Sequence, residues 1–233
     1  MSLVTPLLDD VPDNCLVRNE WICGTYLSDR ADLLAHALGQ HVLLVVISVG
    51  IGMVLALSLA LLARRYRRLQ GLVVGVTTAI YTIPSLALFS LLVPLTGLGP
   101  STVVLGLALY SLTILVRGVL DGLSGVPADV IESARGMGHD ARSLLWRVEF
   151  PLALPTVMAS LRVATVSTVA LTTVGAILDY GGLGDLLISG RNEDFKAQVL
   201  ATSVLCVALA VVLDLLLVAL TRMATPWTRK AAS

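Results

Sequence analysis

An all-α integral membrane protein that crosses the bilayer five times is the fold class this sequence predicts. Of its 233 residues 56% are hydrophobic and only 14% charged, too apolar a balance for a soluble domain of this length to expose. The apolar residues gather into runs of span length, with the charges in the intervals between them. Basic residues fall unequally on alternate intervals. Lys plus Arg and Asp plus Glu both number 16, so bulk charge points neither to nucleic acid nor to an acidic substrate.

Residues 1–40 read as an external segment. The first thirty are acidic and lack an apolar core followed by a small-residue cleavage site, so the first span is expected to act as its own insertion signal. Asp29 to Gln40 places Leu33, Leu34, Ala37 and Leu38 at helical spacing, which predicts a short interfacial helix. His36 and His41 lie here without Cys or carboxylates at ligand spacing, so packing rather than metal binding is expected, and no metal site is assigned. Cys15 and Cys23 fall where an oxidising compartment permits a disulfide. A bridge worth about 2 to 3 kcal/mol in the chain-entropy model and two free thiols both remain open. Cys206 falls in the last span as a small apolar residue.

Val42 to Ala63 and Leu72 to Val93 each run 22 residues without a charge, enough at 1.5 Å per residue to cover the roughly 30 Å hydrocarbon core. Ser101 to Leu120 is the third span, with Arg117 near one end, where a long side chain snorkels to the headgroups. Leu152 to Leu178 and Val199 to Leu220 complete five, within a membrane domain at 41–227 that carries a polar loop at 121–151 and a tail at 228–233. Five is odd, so the termini are expected on opposite faces. Eleven basic residues follow the first, third and fifth spans: Arg64, Arg65, Arg67 and Arg68; Arg117, Arg135, Arg142 and Arg147; Arg222, Arg229 and Lys230. Four, Arg18, Arg30, Arg191 and Lys196, lie on the other face. The imbalance predicts an external N-terminus and a cytoplasmic C-terminus.

The loop has its own logic. Pro127 suits the first turn of a helix that Ala128 to Met137 continues, with Gly136 and Gly138 as terminators. Asp140 is an N-cap for a second short helix carrying Leu144, Leu145 and Val148, before Pro151 opens the fourth span. Two short helices at an angle make a knob. Inside the spans, Arg162 lies about 16 Å from the loop end of the fourth, and Asp214 in the same half of the fifth. An unpaired charge there costs several kcal/mol, so the two are read as an ion pair or as a substrate ion site.

The spacing of Glu132-Ser133-Ala134, Gly138 and Val148-Glu149-Phe150-Pro151 resembles the loop by which permease subunits of binding-protein-dependent ABC importers dock onto their ATPases. That pattern is Glu-Ala-Ala, three residues, Gly, nine residues, Ile-x-Leu-Pro; Ser133, Val148 and Phe150 are conservative departures from it. The resemblance implies a type I ABC importer permease fold, with Glu132, Ser133, Ala134, Gly138 and Pro151 as the residues that couple to the ATPase. It also implies two ATPase subunits, a second permease subunit (identical or related), an external substrate-binding protein and a bacterial-type inner membrane as the surroundings. The chain has no Gly-x-x-x-x-Gly-Lys-Ser/Thr loop, so no cofactor is expected on it, and ATP and Mg are expected on the ATPases. Gly181-Gly182-Leu183-Gly184 lacks a following Lys and reads as a turn or re-entrant edge.

Ile80-Tyr81-Thr82-Ile83-Pro84-Ser85-Leu86, the glycine cluster and Thr225-Pro226-Trp227 are further similar to permeases for glycine betaine, choline and carnitine. A methionine or other amino-acid importer permease is the alternative, and a membrane-embedded enzyme or a passive scaffold is the reading from another class. Pro84 removes a helical hydrogen bond with hydroxyls nearby, which makes Tyr81, Thr82, Pro84 and Ser85, with Tyr110, the candidate pathway wall. Tyr81, Phe89 and Tyr110 offer aromatic faces to a quaternary ammonium group, or simply pack.

Overall fold

The computed structural model describes residues 14–229, which are helical along most of their length. Much of the acidic N-terminal stretch and the end of the tail, with Lys230, lie outside the described residues. After a short helix α1 (Gly24–Asp29), the charge-free run at 42–63 lies inside α2 (Ala31–Arg65), a helix of 35 residues and so about 52 Å long. The interfacial helix expected over 29–40 is therefore mostly the first turns of α2. Nothing between 31 and 41 breaks a helix, and the buried Leu34, Ala37 and His41 carry the helical spacing into the span.

The run at 72–93, read from sequence as one span, is two helices: α3 (Arg67–Thr82) and α4 (Ser85–Thr96), bent by 102°. Pro84 has no N–H and forces the residue before it out of the helical region; Ile83 is extended at φ −67°, ψ 129°. The carbonyl thus freed on Ile83 accepts a hydrogen bond from the Tyr110 hydroxyl.

Helix α5 (Pro100–Ser124) is the axis of the molecule, packed along α2 on one side and along α8 (Phe150–Thr172) on the other. Small residues allow the approach: a Cβ on Gly52 would come within 2.1 Å of Ser111 Oγ, and one on Gly118 within 2.0 Å of Ser160 Oγ. The core between these helices is built from Ala56, Ala60, Leu115, Val119, Ala153 and Val157.

After α6 (Ala128–Gly136) come α7 (Ala141–Leu144), a π-helical turn at Leu145–Glu149, α8 (Phe150–Thr172) and a 3-10 stretch at Thr173–Leu178. The second helix of the loop is thus not a separate element. It runs through the π-turn into the fourth span as one apolar helix from 141 to 178. Pro151 would clash with the carbonyl four residues before it in an α-helix, and the wider π-turn directly ahead of it lets the helix pass. Counting the bent α3–α4 pair as one span, these helices and α10 (Lys196–Ala224) cross the membrane five times. Their alternation puts the C-terminal ends of α2 and α5 at the same end of the bundle as α6 and α7.

The opposite end carries α9 (Leu183–Asn192) and the residues before α2. Cys15 and Cys23 are joined by a disulfide, with their Cα atoms 5.5 Å apart. Within the loop this closes, the Asn19 amide donates to the Asp194 carbonyl at 2.6 Å and accepts from the Lys196 N–H at 2.9 Å. Tyr26 stands edge-on to Phe195 with centroids 5.1 Å apart. The segment is therefore pinned to the α9–α10 turn.

Candidate functional site

Two features are assembled from the site residues: a knob at one end of the bundle and a groove along α3, α5 and α8 that carries two charged side chains on a largely apolar wall. In the knob, α6 closes with a Schellman motif, in which Gly138 N–H donates to the Arg135 carbonyl at 2.9 Å and His139 N–H to the Ala134 carbonyl at 3.2 Å. The motif needs a left-handed residue at 138, and Gly138 supplies φ +89°. Asp140 then caps α7 by accepting from Ser143 N–H at 3.1 Å. Ala134 is buried under the turn, while Glu132, Ser133 and Gly138 face outward. Among the described residues nothing lies within 4 Å of a Cβ placed on Gly138, which leaves that face open.

Glu149 is the residue the sequence reading passed over. It ends the π-turn with 0% exposure, and Arg64 at the end of α2 forms an ion pair with its carboxylate. Among the described residues the carboxylate has no other partner. The pair ties the base of the knob to the first span. Its signal in the sequence is faint: one carboxylate at the mouth of an apolar run, at a position the loop pattern leaves unspecified.

The groove, of about 600 Å³, is lined by Thr78, Tyr81, Thr113, Arg117, Asp121 and Ser160 among others. Of the expected pathway residues only Tyr81 lines it. Tyr110 is buried 5.7 Å from the Tyr81 ring with its hydroxyl on Ile83, and Phe89 is buried in the core beside Val103 and Leu107. Thr82, whose hydroxyl donates to the Ala79 carbonyl, lies with Pro84 and Ser85 at the bend and outside the groove lining. Arg117 Nη2 donates across to Thr78 Oγ1 at 2.9 Å.

Arg162 and Asp214 meet between α8 and α10 through two parallel hydrogen bonds of 2.8 Å, from Nε to Oδ1 and from Nη2 to Oδ2. This fork geometry is the strong form of a carboxylate pair, and it leaves neither ion alone on an apolar helix. At the other end, Gly182 takes φ +59° and lies so close to α2 that a Cβ would come within 2.8 Å of His41. Asp185 accepts from Gly181 N–H at 2.8 Å. Burial pushes its carboxyl above the ordinary range, opposed by the Gly181 and Gly182 N–H groups. No cluster of three metal-ligating side chains occurs among the described residues.

Residues 48–230 match the family model described as the binding-protein-dependent transport system inner membrane component. The chain is 36% identical over 208 residues to the glycine betaine/carnitine/choline transport system permease protein OpuCD of Bacillus subtilis, covering 89% of this chain and 91% of that one. It is 35% identical over 206 residues to the osmoprotectant import permease protein OsmW of Salmonella typhimurium, covering 86% and 96%. Among solved structures it superposes with a TM-score of 0.74 on an inward-facing MetNI methionine ABC transporter, at 20% identity over 88% of this chain and 100% of that one. The bent-span bundle is thus the type I ABC importer permease fold. The knob, the bend and the groove all lie within the matched residues, and the chain belongs to the family of inner membrane components of binding-protein-dependent transport systems.

Proposed function

We propose that this chain is the membrane-spanning permease subunit of an ATP-driven importer of quaternary ammonium osmoprotectants of the glycine betaine, choline and carnitine type. The observation that carries the reading is the likeness to permeases named for those solutes, which extends over 89% of the chain. The amino-acid alternative has only likeness of fold behind it, at 20% identity. In this reading a second permease subunit completes the pathway, two ATPase subunits hold ATP and Mg, and an external binding protein delivers the solute. Eleven basic residues on the knob side against four on the other support a cytoplasmic knob and C-terminus with the N-terminus outside.

Glu132 offers a fixed charge to a basic groove on the ATPase, and Gly138 lets the partner come close. The continuous helix from 141 to 178 carries a push on the knob into the fourth span, the Arg64–Glu149 pair passes it to the first, and the Arg162–Asp214 fork passes it to the fifth.

The test is reconstitution into liposomes with the partner subunits, measuring ATP-dependent uptake of labelled glycine betaine, choline and carnitine. Uptake of an amino acid with none of the three would overturn the substrate and leave the importer reading standing.

A further inference from the structure

The strongest unexplained charge in the spans is Arg117. Helix α5 is almost wholly enclosed, and between 111 and 120 Arg117 is its single exposed residue. One turn on, Asp121 is exposed on the same face of the helix, so a guanidinium and a carboxylate look into one groove about 6 Å apart along the axis. They do not neutralise each other. Among the described residues no carboxylate pairs with Arg117, which lines the groove and has one hydrogen bond, to Thr78. Thr78, Thr113, Thr156, Ser160 and Tyr81 also line the groove, beside the apolar Ile114, Ala159 and Val163.

Such a face cannot lie against lipid tails, because an unpaired arginine in hydrocarbon costs several kcal/mol. In the transport reading the groove is taken as part of the path between this chain and the second permease subunit. Its charges, positive and negative a turn apart with an aromatic face beside them, complement a small zwitterion that has a carboxylate at one end and a cationic head at the other.

We infer that Arg117 is a specificity-determining residue of the translocation path, receiving the carboxylate of zwitterionic solutes and giving no such help to a purely cationic one. The inference rests on the transport reading above and adds a discrimination among its solutes. Glycine betaine and carnitine carry the carboxylate; choline carries a hydroxyl in its place and meets an uncompensated positive charge at Arg117. A guanidinium fork on a carboxylate is also lost when the fork becomes an ammonium, so lysine is an imperfect substitute.

The experiment uses the complete transporter in liposomes and reads the ratio of glycine betaine uptake to choline uptake. Arg117→Gln keeps a donor for Thr78 and removes the charge; its ratio is expected to fall at least tenfold, with choline uptake retained. Arg117→Lys is expected to fall between this variant and wild type. A ratio unchanged in Arg117→Gln, or both solutes lowered equally, overturns the inference and makes Arg117 a structural residue. If Arg117→Gln does not assemble, Thr78→Val, which releases the guanidinium from its anchor, is expected to lower the same ratio to a smaller degree, and an unchanged ratio there overturns the inference as well. Wild-type transporter that moves neither solute overturns the transport reading itself, and this inference with it.

Discussion

Removing Arg64 should damage this protein more than removing the acid it pairs with. Glu149 is fully enclosed, with 1% of its side chain exposed, while Arg64 retains 36%. Arg64→Ala leaves a carboxylate buried with no counter-charge, and breaking a buried pair in this way costs about 3 to 5 kcal/mol. Water reaches the Arg64 side, which screens the pair and puts the expected value near the lower end, about 3 kcal/mol. Glu149→Gln removes the buried charge and frees Arg64 to turn to solvent, for about 1 kcal/mol of lost hydrogen bonding. The double variant Arg64→Ala/Glu149→Gln has no buried charge left, so it should be more stable than Arg64→Ala alone. That reversal amounts to a coupling of about 2 kcal/mol. For a chain of this length 1 kcal/mol moves a melting midpoint by about 2 to 4 °C. The assay is thermal unfolding of the purified transporter in detergent at one scan rate, following loss of the monodisperse peak. Arg64→Ala is expected to melt about 6 to 12 °C early, Glu149→Gln much less, and the double variant in between. If the two single shifts are equal and simply add in the double variant, the pair is not coupled and the argument from burial is refuted.

The remaining predictions concern the ends of the bundle. Glu132→Lys and Gly138→Asp should insert and express near wild-type levels while substrate-stimulated ATPase activity collapses; Gly138→Asp adds about 1 kcal/mol of left-handed strain within the chain and no internal clash. Normal transport in both would remove the knob as the coupling element. Cys15→Ser/Cys23→Ser should loosen residues 14–30 by about 2 to 3 kcal/mol, read as faster hydrogen exchange there with the spans unchanged. Unchanged exchange in that segment would show that Asn19 and Tyr26 hold it unaided. Because burial raises the Asp185 carboxyl above its unfolded value, the stability it contributes is present below about pH 4 and is lost as pH rises through the folded pKa. Asp185→Asn should therefore flatten the fall in melting temperature from acid to neutral pH, and an unaltered slope would show that the carboxyl titrates normally.

Hydropathy runs and local caps were enough to find the spans, to set the knob between the third and fourth of them, and to assign Gly138 and Asp140 their roles. Those features are written within a few residues of where they act: an apolar run spans because it is long, a helix ends where a glycine can turn left-handed, and an aspartate caps the amide three residues on. The glycine betaine likeness was legible in short motifs for the same reason.

The sequence also marked Pro84 as a weak point of the second span, but the size of the 102° bend and the use of Tyr110 to satisfy Ile83 depend on a helix elsewhere in the chain. Tertiary packing decided which aromatic faces the groove, burying Tyr110 and Phe89 and leaving Tyr81. It set Arg117 against Thr78, and it gave Glu149 the partner that no local pattern names. A side chain's local sequence states its charge and reach; its partner is set by which helices pack together, and in a membrane a buried charge is stable only where that packing brings a counter-charge or water to it.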